Sequence, residues 1–393
     1  MKRKIRKRKI VESLAVTILL ATQFLACKAP AESETAAKEN ATKESATEVA
    51  AASETNEDAG VYREKKTEET APEISYVTIS MAGDCTLGNT QLQGYAGTFN
   101  EMYDQKGPAY FFQNVKDIFE ADDMTIVNFE GVLTESNDKV EKAYNLKGKP
   151  EYNQILIDAD IEAASLGNNH RIDYGKQGMI DTQAALDEIG LTYAYDDVTD
   201  IYETKDGIKI GIVSVDEVYD GTKVETYLQD GIARLKEEGA NIILACCHWG
   251  IEHVYYPESY QTELGQKCID WGADFVIGCH PHVLQGIDNY HGKYMLYSLG
   301  NFCFGGNRNP QDKDTMIAQV TFQLEDGVPR GEARLQVIPC TLSSVTSRND
   351  FCPTPVQGEK RESIIENLNT YSQSFGVSID QDGWVSHDSR EEQ

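Results

Sequence analysis

An α/β fold is predicted for the globular part of the chain, which begins near Ile74, from two features of the sequence. Short runs of apolar and β-branched residues alternate with helix-compatible stretches, which is the pattern of an α/β domain with largely buried sheets. Most of these runs also end in polar residues, and ligands of such folds gather at the carboxyl ends of the strands. The sequence therefore predicts the fold class and the edge at which a functional site would lie.

The strands are predicted in chain order, each from an apolar run that is bounded by turn-forming or polar residues. They are ISYVTISMAGD, MTIVNFEG, IEAASLGNNH, KIGIVSVDE, ANIILACCHWG, ADFVIGCHPH and YMLYSLGNF. Helices are predicted between them, and the last three end in Gly, the usual helix stop. These are AYFFQNVKDIFEAD, KQGMIDTQAALDEIG, VETYLQDGIARLKEEG and YQTELGQKCIDWG. Further on, we predict a last strand, an amphipathic helix and a loose tail, namely ARLQVIPCTL, KRESIIENLNTYSQSF and DGWVSHDSREEQ.

The amino terminus is typical of an exported protein. Residues 1–27 combine a basic head, the short apolar run VTILLATQFLA and Cys27, which stands where a bacterial lipoprotein signal has its acylated cysteine. Ordinary cleavage and an uncleaved anchor are the alternatives. Residues 28–73 are rich in Ala, Glu, Thr, Ser and Lys and predict a disordered tether. We therefore expect an extracytoplasmic domain over residues 74–345, attached to the cell membrane by a lipid, and a carboxyl-terminal helix and tail over residues 346–393.

Net charge and cysteine content limit the possible partners and the possible disulfides of the protein. The net charge of −28 argues against a nucleic-acid partner, because nucleic acids select basic surfaces. Such acidity also disfavours a bare site for a polyanion unless metal ions offset the charge locally. The nine cysteines form no C-x-x-C pair and are predicted to be mainly buried thiols, with a Cys340–Cys352 disulfide as an alternative.

Six polar residues, each following a predicted strand, form the candidate functional site. Carboxylate, amide and imidazole ligands together suit Mn, Fe or Zn better than Ca or Mg, which prefer oxygen ligands alone. Taken singly, each residue can cap a turn or a helix instead. Their recurrence at successive strand ends predicts a centre for one or two divalent transition-metal ions. The six residues are Asp84, Glu130, Asn169, His248, His280 and His282.

Six separated motifs occur in the order of a known family. They are MAGDCTLG, NFEG, SLGNNHRIDYG, HWGIE, GCHPHVLQGID and YSLGNF. Over roughly residues 75–305 this series resembles the CapA/PgsA family of poly-γ-glutamate capsule biosynthesis, a branch of the calcineurin-like metallophosphatase superfamily. The resemblance implies a metallophosphatase-like fold in which two packed β-sheets are flanked by helices, a four-layer αββα arrangement. It also implies an active site built from the loops at the strand ends.

Site roles follow from the resemblance residue by residue. It implies that Asp84 is a metal ligand, Glu130 a bridging carboxylate and Asn169 an amide ligand, with His170 as the catalytic acid. The imidazole ligands that it implies are His248, His280 and His282. The chain departs from the superfamily at two positions: Thr86 stands where the first motif has a His, and Glu130 replaces an Asp.

Four neighbouring residues complete the candidate site, and each has an alternative role. Asp173 can hold the second nitrogen of His170 or mark a helix start. Glu252, four residues after His248, can orient a metal-bound imidazole or lie in a plain loop. Asn301 can bind substrate or turn the chain. Asn168 is a further candidate for supporting the metal ligands or binding substrate.

Three functions are compatible with the sequence. The first is a metal-dependent hydrolase or transferase of capsule or cell-envelope polymer assembly that uses metal-bound hydroxide. Its partner would be an anionic polymer such as poly-γ-glutamate, or a phosphorylated envelope substrate. The second is a non-catalytic accessory subunit beside membrane synthase and export subunits, and the third is a general metallophosphoesterase.

Overall fold

A computed structural model of the protein describes residues 72–388. The predicted signal of residues 1–27, the acylation site Cys27 and the tether up to Ala71 lie outside the described residues. Among residues 72–388, no helix combines the length and the apolar character that crossing a membrane requires.

The described residues form twenty strands and eight α-helices. The first ten strands are β1 (Ile74–Thr86), β2 (Asn89–Thr90), β3 (Met124–Phe129), β4 (Val132–Leu133), β5 (Leu146–Gly148), β6 (Ala163–Ser165), β7 (Thr192–Ala194), β8 (Asp200–Glu203), β9 (Lys209–Asp216) and β10 (Ile242–His248). The others are β11 (Phe275–Cys279), β12 (Ile287–Tyr290), β13 (Lys293–Leu296), β14 (Asn301–Phe304), β15 (Asp314–Glu325), β16 (Val328–Pro329), β17 (Arg334–Thr341), β18 (Thr354–Pro355), β19 (Val377–Ile379) and β20 (Val385–His387). The helices are α1 (Phe99–Lys106), α2 (Lys116–Phe119), α3 (Asn153–Asp158), α4 (Gly175–Ile189), α5 (Glu217–Asp220), α6 (Val224–Glu237), α7 (Ser259–Trp271) and α8 (Gly358–Ser372).

Two large mixed sheets contain most of the strands. The first sheet has the order β18-β17-β15-β1-β3-β6-β7, with β14 beside β1 and β16 beside β15. The second sheet has the order β12-β13-β11-β10-β9-β8. Strands β1, β3 and β6 run parallel in the first sheet, as do β9, β10 and β11 in the second. Because parallel strands end at the same edge, each sheet presents a row of carboxyl ends.

The two sheets pack face to face and carry helices on their outer faces. One apolar cluster joins side chains of both sheets, among them Met81 of β1 and Leu244 of β10. A second cluster packs α1, α3 and α4 on the first sheet, and a third packs α6 and α7 on the second. Fully burying one such large apolar side chain contributes about 1.5–3 kcal/mol. The predicted αββα layering of an α/β fold is therefore confirmed.

The stretch YMLYSLGNF forms two strands in different sheets, so its prediction as one strand is wrong. Strand β13 pairs within the second sheet, whereas β14 pairs with β1 of the first. Between them the chain bends at Gly300, whose φ of 69° lies in the left-handed region that favours glycine. The side chain of Ser298 holds this link, because it accepts from the Gly300 N–H and donates to the Val283 carbonyl.

Three further features differ from the sequence-based expectations. The only α-helix in the stretch AYFFQNVKDIFEAD is the short α2, and Phe112 and Phe119 pack on Phe302 from a turn-rich segment. Strand β15 is not predicted from the sequence, since its polar residues interrupt the apolar run, yet it pairs with both β1 and β17. The expected loose tail instead forms β20 up to residue 387, and β20 pairs with β19.

The cysteines of the described region are free thiols. All eight are buried, including Cys340 and Cys352, so the alternative of a disulfide between these two is wrong. Burial raises the pKa of the Cys340 thiol to about 12 and that of the Cys352 thiol to about 11. These two cysteines therefore pack as small apolar side chains.

Candidate metal centre

Backbone contacts fix the two candidate carboxylates at the edge of the first sheet. Asp84 lies near the end of β1, and its N–H donates a 2.9 Å hydrogen bond to the Gly300 carbonyl. The strands approach so closely that a Cβ atom on Gly83 would clash with that same oxygen. Glu130 follows β3, and its N–H donates to the Cys85 carbonyl over 3.0 Å.

The carboxylate of Asp84 is buried and has one oxygen without a hydrogen bond. Oδ1 accepts a 2.7 Å hydrogen bond from the side-chain amide of Asn128. Oδ2 lies 3.2 Å from Nδ1 of His282 and accepts no hydrogen bond from residues 72–388. The contact with Asn128 orients the carboxylate and leaves Oδ2 for a cation.

The carboxylate of Glu130 is buried with neither oxygen hydrogen-bonded in the described region. Oε1 lies 3.6 Å from Nε2 of His170 and 3.9 Å from Nε2 of His282. Burial raises the pKa of Glu130 above its usual range, an effect that His282 opposes. An ionised carboxylate is costly to bury without a compensating partner.

Two buried imidazoles come from the second sheet. Nε2 of His248, at the end of β10, lies 3.2 Å from Nδ1 of His280, which follows β11. Nδ1 of His248 lies 3.3 Å from the amide nitrogen of Asn128, so this amide links the two sheets. Burial lowers the pKa of both imidazoles, that of His280 to about 4. Neutral imidazoles keep a lone pair for a metal ion.

His282 lies between the two carboxylates, and Asn301 fixes its ring. Nδ1 of His282 lies 3.0 Å from Oδ1 of Asn301, whose side-chain amide donates to the His282 carbonyl over 3.2 Å. Burial lowers the pKa of His282, but Glu130 and Asp84 outweigh burial and raise it above its usual range. Asn301 therefore positions an imidazole and starts β14.

Backbone strain is concentrated where the chain presents these imidazoles. His280 has φ of 100° and His282 has φ of 58°, and the two residues flank Pro281. Positive φ is uncommon for residues other than glycine, and such strain clusters at functional sites. Hydrogen bonds from His253 to the Pro281 carbonyl and from Asn301 to the His282 carbonyl hold this turn.

His170 forms a dyad with Asp173, to which Lys142 is bound. Nδ1 of His170 lies 2.6 Å from Oδ2 of Asp173, and Nε2 faces Glu130. Nζ of Lys142 lies 3.1 Å from Oδ1 of Asp173 and 3.2 Å from Nδ1 of His170. The N–H of Leu146 also donates to Asp173 over 2.6 Å. Asp173 is thus held from three sides and fixes the ring of His170.

The two asparagines of the GNNH motif have different environments. Asn168 is buried, donates to the Phe129 carbonyl over 2.8 Å and accepts from the His170 N–H over 3.1 Å, so it shapes the loop. Oδ1 of Asn169 is buried without a hydrogen bond in residues 72–388, while its carbonyl accepts from Lys142 over 2.7 Å. Of the two side chains, that of Asn169 is the one left open to a ligand.

Glu252 lies in the exposed loop after β10, near His280 and His282. Ligand atoms of Glu252, His280 and His282 lie within 4.8 Å of one another. The same spacing holds for a buried group made of Asp84, Glu130 and His282.

The donor set fits a divalent metal ion. Four buried oxygens accept no hydrogen bond in the described residues, namely Oδ2 of Asp84, both carboxylate oxygens of Glu130 and Oδ1 of Asn169. Buried polar atoms are nearly always hydrogen-bonded, so four such oxygens in one site call for a missing partner. A cation beside Asp84, Glu130 and His282 would compensate the two carboxylates, and the neutral imidazoles of His248 and His280 offer nitrogen ligands.

Sequence reasoning did not identify Asn128 and Lys142 as functional residues. Asn128 stands at a strand end two residues before Glu130, and this position is the signal that could have found it. Lys142 lies in the loop between β4 and β5, and nothing in the local sequence marks its contacts with His170 and Asp173.

The buried Arg171, next to His170, was also not predicted as a functional or structural residue. Arg171 donates to Asp216 over 2.8 Å, to Asp196 over 2.9 Å and to Asp220 over 3.0 Å. Because Asp216 ends β9, this cluster ties the GNNH loop of the first sheet to the second sheet. Arg171 has three carboxylate partners and is a structural residue.

Two relatives match most of the chain. The chain is 29% identical over 309 residues to the capsule biosynthesis protein CapA of Bacillus anthracis, covering 71% of each chain. It is 28% identical over 336 residues to the PGA biosynthesis protein CapA of Bacillus subtilis (strain 168), covering 79% of this chain and 82% of that one.

A solved structure and a family match complete the comparisons. The crystal structure of TT1561 of Thermus thermophilus aligns with a TM-score of 0.36 and 10% identity, covering 62% of this chain and 94% of that one. Residues 78–306 match the family described as bacterial capsule synthesis protein PGA_cap, which confirms the resemblance to the capsule biosynthesis family. The chain belongs to the PGA_cap family of bacterial capsule synthesis proteins.

Proposed function

We propose that the protein is a metal-dependent hydrolase or transferase that acts in the assembly of poly-γ-glutamate or another anionic envelope polymer. The family match and the relative named as a PGA biosynthesis protein support the polymer class. The observation that carries the chemistry is the set of buried carboxylate oxygens without hydrogen bonds beside three imidazoles.

The proposed centre holds one or two ions of Mn, Fe or Zn. Asp84, Glu130 and His282 would bind one ion, and Asn169, His248 and His280 are the further candidate ligands of the centre. When bound, such an ion supplies a Lewis acid and lowers the pKa of water. Asn128 and Asn301 would hold the carboxylate of Asp84 and the ring of His282 in place through the hydrogen bonds described above.

His170 is the proposed general acid. Its Nε2 points towards Glu130, and its Nδ1 is held by Asp173 over 2.6 Å. Burial lowers the pKa of His170, and Asp173 opposes this effect by stabilising the protonated ring. A proton at Nε2 can then pass to the leaving-group oxygen of the substrate. Lys142 fixes Asp173 and the backbone of Asn169, and thereby the position of this ring.

We further propose that the domain works outside the cytoplasmic membrane. The signal of residues 1–27, an acylated Cys27 and the tether of residues 28–73 support this location. A tethered domain would act on a polymer close to the synthase and export subunits that produce it. Mass spectrometry of Cys27 in the membrane fraction tests the lipid, and an unmodified Cys27 would argue against the anchor.

A non-catalytic accessory role is the second candidate, and Thr86 favours it. Threonine replaces an imidazole that the superfamily motif would supply, and one ligand fewer weakens a catalytic metal position. In that case the domain would hold or guide the polymer without turning it over.

The variant His170→Ala separates the two candidates. The full chain carrying it would replace the native copy in cells, and the released polymer and the metal content of the purified protein would both be measured. Loss of polymer with metal retained supports catalysis, whereas unchanged polymer supports the accessory role. His291→Asn is the matched control, because His291 lies in the turn between β12 and β13. Absence of bound Mn, Fe or Zn in the wild-type protein would remove the metal centre.

A further inference from the structure

We propose that Glu252 is itself a metal ligand, which binds an ion together with His280 and His282 on the solvent-facing side of the centre. This inference rests on the proposed metal centre. It gives Glu252 a direct bond to the ion, in place of the indirect role that its sequence position predicted.

The geometry of the three side chains allows them to bind one ion. Their ligand atoms lie within 4.8 Å of one another, a spacing at which one ion can contact all three. His280 and His282 are largely buried, whereas Glu252 is exposed and has no hydrogen bond or ion pair in residues 72–388. Two imidazoles and a carboxylate are a ligand set that suits Zn and Mn.

Hydrogen bonds fix the backbone on both sides of Glu252. The N–H of Gly250 donates to the Tyr260 hydroxyl over 2.8 Å, and the N–H of His253 donates to the Pro281 carbonyl over 2.8 Å. The loop of Glu252 is therefore bonded directly to the segment that carries His280 and His282. His253 also has a positive φ of 64°, so the strained backbone of the site extends to this loop.

The buried part of the centre offers few ligand side chains. The Thr86 hydroxyl is buried without a hydrogen bond in the described residues, and it lines one small cavity with Glu130. A neutral hydroxyl is a weak ligand for a transition-metal ion. The buried group then offers Asp84, Glu130 and His282 only. Glu252 supplies a further anionic ligand next to His282, which belongs to both groups.

Metal titration of the full chain carrying Glu252→Gln tests the assignment. The substitution keeps the size of the side chain and removes its charge. Loss of a ligand is expected to lower the affinity for Zn²⁺ at one position by at least about 10-fold, the lower limit for loss of a supporting residue. The spectrum of bound Co²⁺ should change as well, because its coordination changes. Glu263→Gln, on an exposed position of α7, is the matched control.

The outcomes distinguish this inference from the proposed function. If the wild-type protein binds Zn²⁺ or Mn²⁺ and Glu252→Gln binds with unchanged affinity and Co²⁺ spectrum, the role of Glu252 is overturned and the metal centre stands. An equal loss of metal affinity in Glu263→Gln would also overturn the role of Glu252, since the loss would then come from the change in net charge alone. If the wild-type protein binds neither ion, both the inference and the centre fail. Because Glu252 is exposed, we expect unchanged thermal unfolding of the metal-stripped variant.

Discussion

The side-chain amide of Asn128 donates a 2.7 Å hydrogen bond to Oδ1 of Asp84 within the buried contact of the two sheets. The same amide nitrogen lies 3.3 Å from Nδ1 of His248. A carboxylate from the first sheet and an imidazole from the second are thus oriented by one residue. We infer that the metal centre depends on the packing of the two sheets as well as on its ligands.

Asn128→Ala should weaken metal binding without unfolding the protein. Removing the amide frees the carboxylate of Asp84 and the ring of His248 to turn, and loss of such supporting contacts typically costs about 10–100-fold in metal affinity. Competition with a chromogenic chelator measures the change. Asn114→Ala serves as the control, because the side chain of Asn114 is exposed and donates to Thr354 instead of to a metal ligand. Equal affinities for Asn128→Ala and wild type would show that this amide does not orient the ligands.

Gly83→Ala should destabilise the fold. The added Cβ would clash with the Gly300 carbonyl, which also accepts from Asp84, so the strands must move apart. Overpacking of this kind costs about 1–3 kcal/mol of unfolding free energy. Urea denaturation measures it, with Gly94→Ala as control because a Cβ on Gly94 meets no atom within 4 Å. Equal midpoints for the two variants would contradict the predicted clash.

Asp173→Asn should reduce turnover and leave the metal in place. The amide cannot stabilise a protonated His170 as the carboxylate does over 2.6 Å. General acid–base catalysis contributes about 10²–10⁴-fold, and we expect a loss of about 10²-fold. Polymer release or hydrolysis of an aryl phosphodiester, measured with metal content, checks this. Full activity in Asp173→Asn would exclude the dyad from the reaction.

Chelator-stripped protein should lose stability between about pH 6.5 and pH 8. Burial raises the pKa of Glu130, and the carboxylates Glu130 and Asp84 raise that of His282, so the folded state binds more protons than the unfolded state. Stability therefore falls as pH rises through this window. Burial lowers the pKa of His248, His280 and His170, and their opposite effect fades as pH rises above about 6.5.

Thermal unfolding of stripped protein at several pH values measures this dependence. Glu130→Gln should flatten it, and Glu263→Gln should not. A melting temperature that rises from pH 6.5 to pH 8 would contradict the assigned directions. Added Zn²⁺ should offset the loss in the wild type, because a cation compensates the charge of Glu130.

The strand ends could be predicted from the sequence because burial and polarity change there within one or two residues. Asp84, Glu130, His248 and His280 each follow an apolar run, and such a pattern is local. The position of Asp173 beside His170 is likewise local, since the two residues are three apart. These residues could therefore be predicted without knowing how the sheets pack.

The remaining features depend on packing between distant segments. The split between β13 and β14 arises because β14 joins β1, and the contact of Lys142 with Asp173 joins two loops. The position of Glu252 beside His280 depends on the hydrogen bond from His253 to Pro281. None of these contacts has a local signature.

Anomalous scattering from crystals grown with Zn²⁺ would locate the bound metal ions. We expect a peak about 2.0–2.2 Å from side-chain atoms of Asp84, Glu130 and His282. With Glu252 as a ligand, a peak should also contact Glu252, His280 and His282. Crystals that contain Zn²⁺ only at other places on the surface, with these side chains free of any peak, would contradict the proposed metal centre.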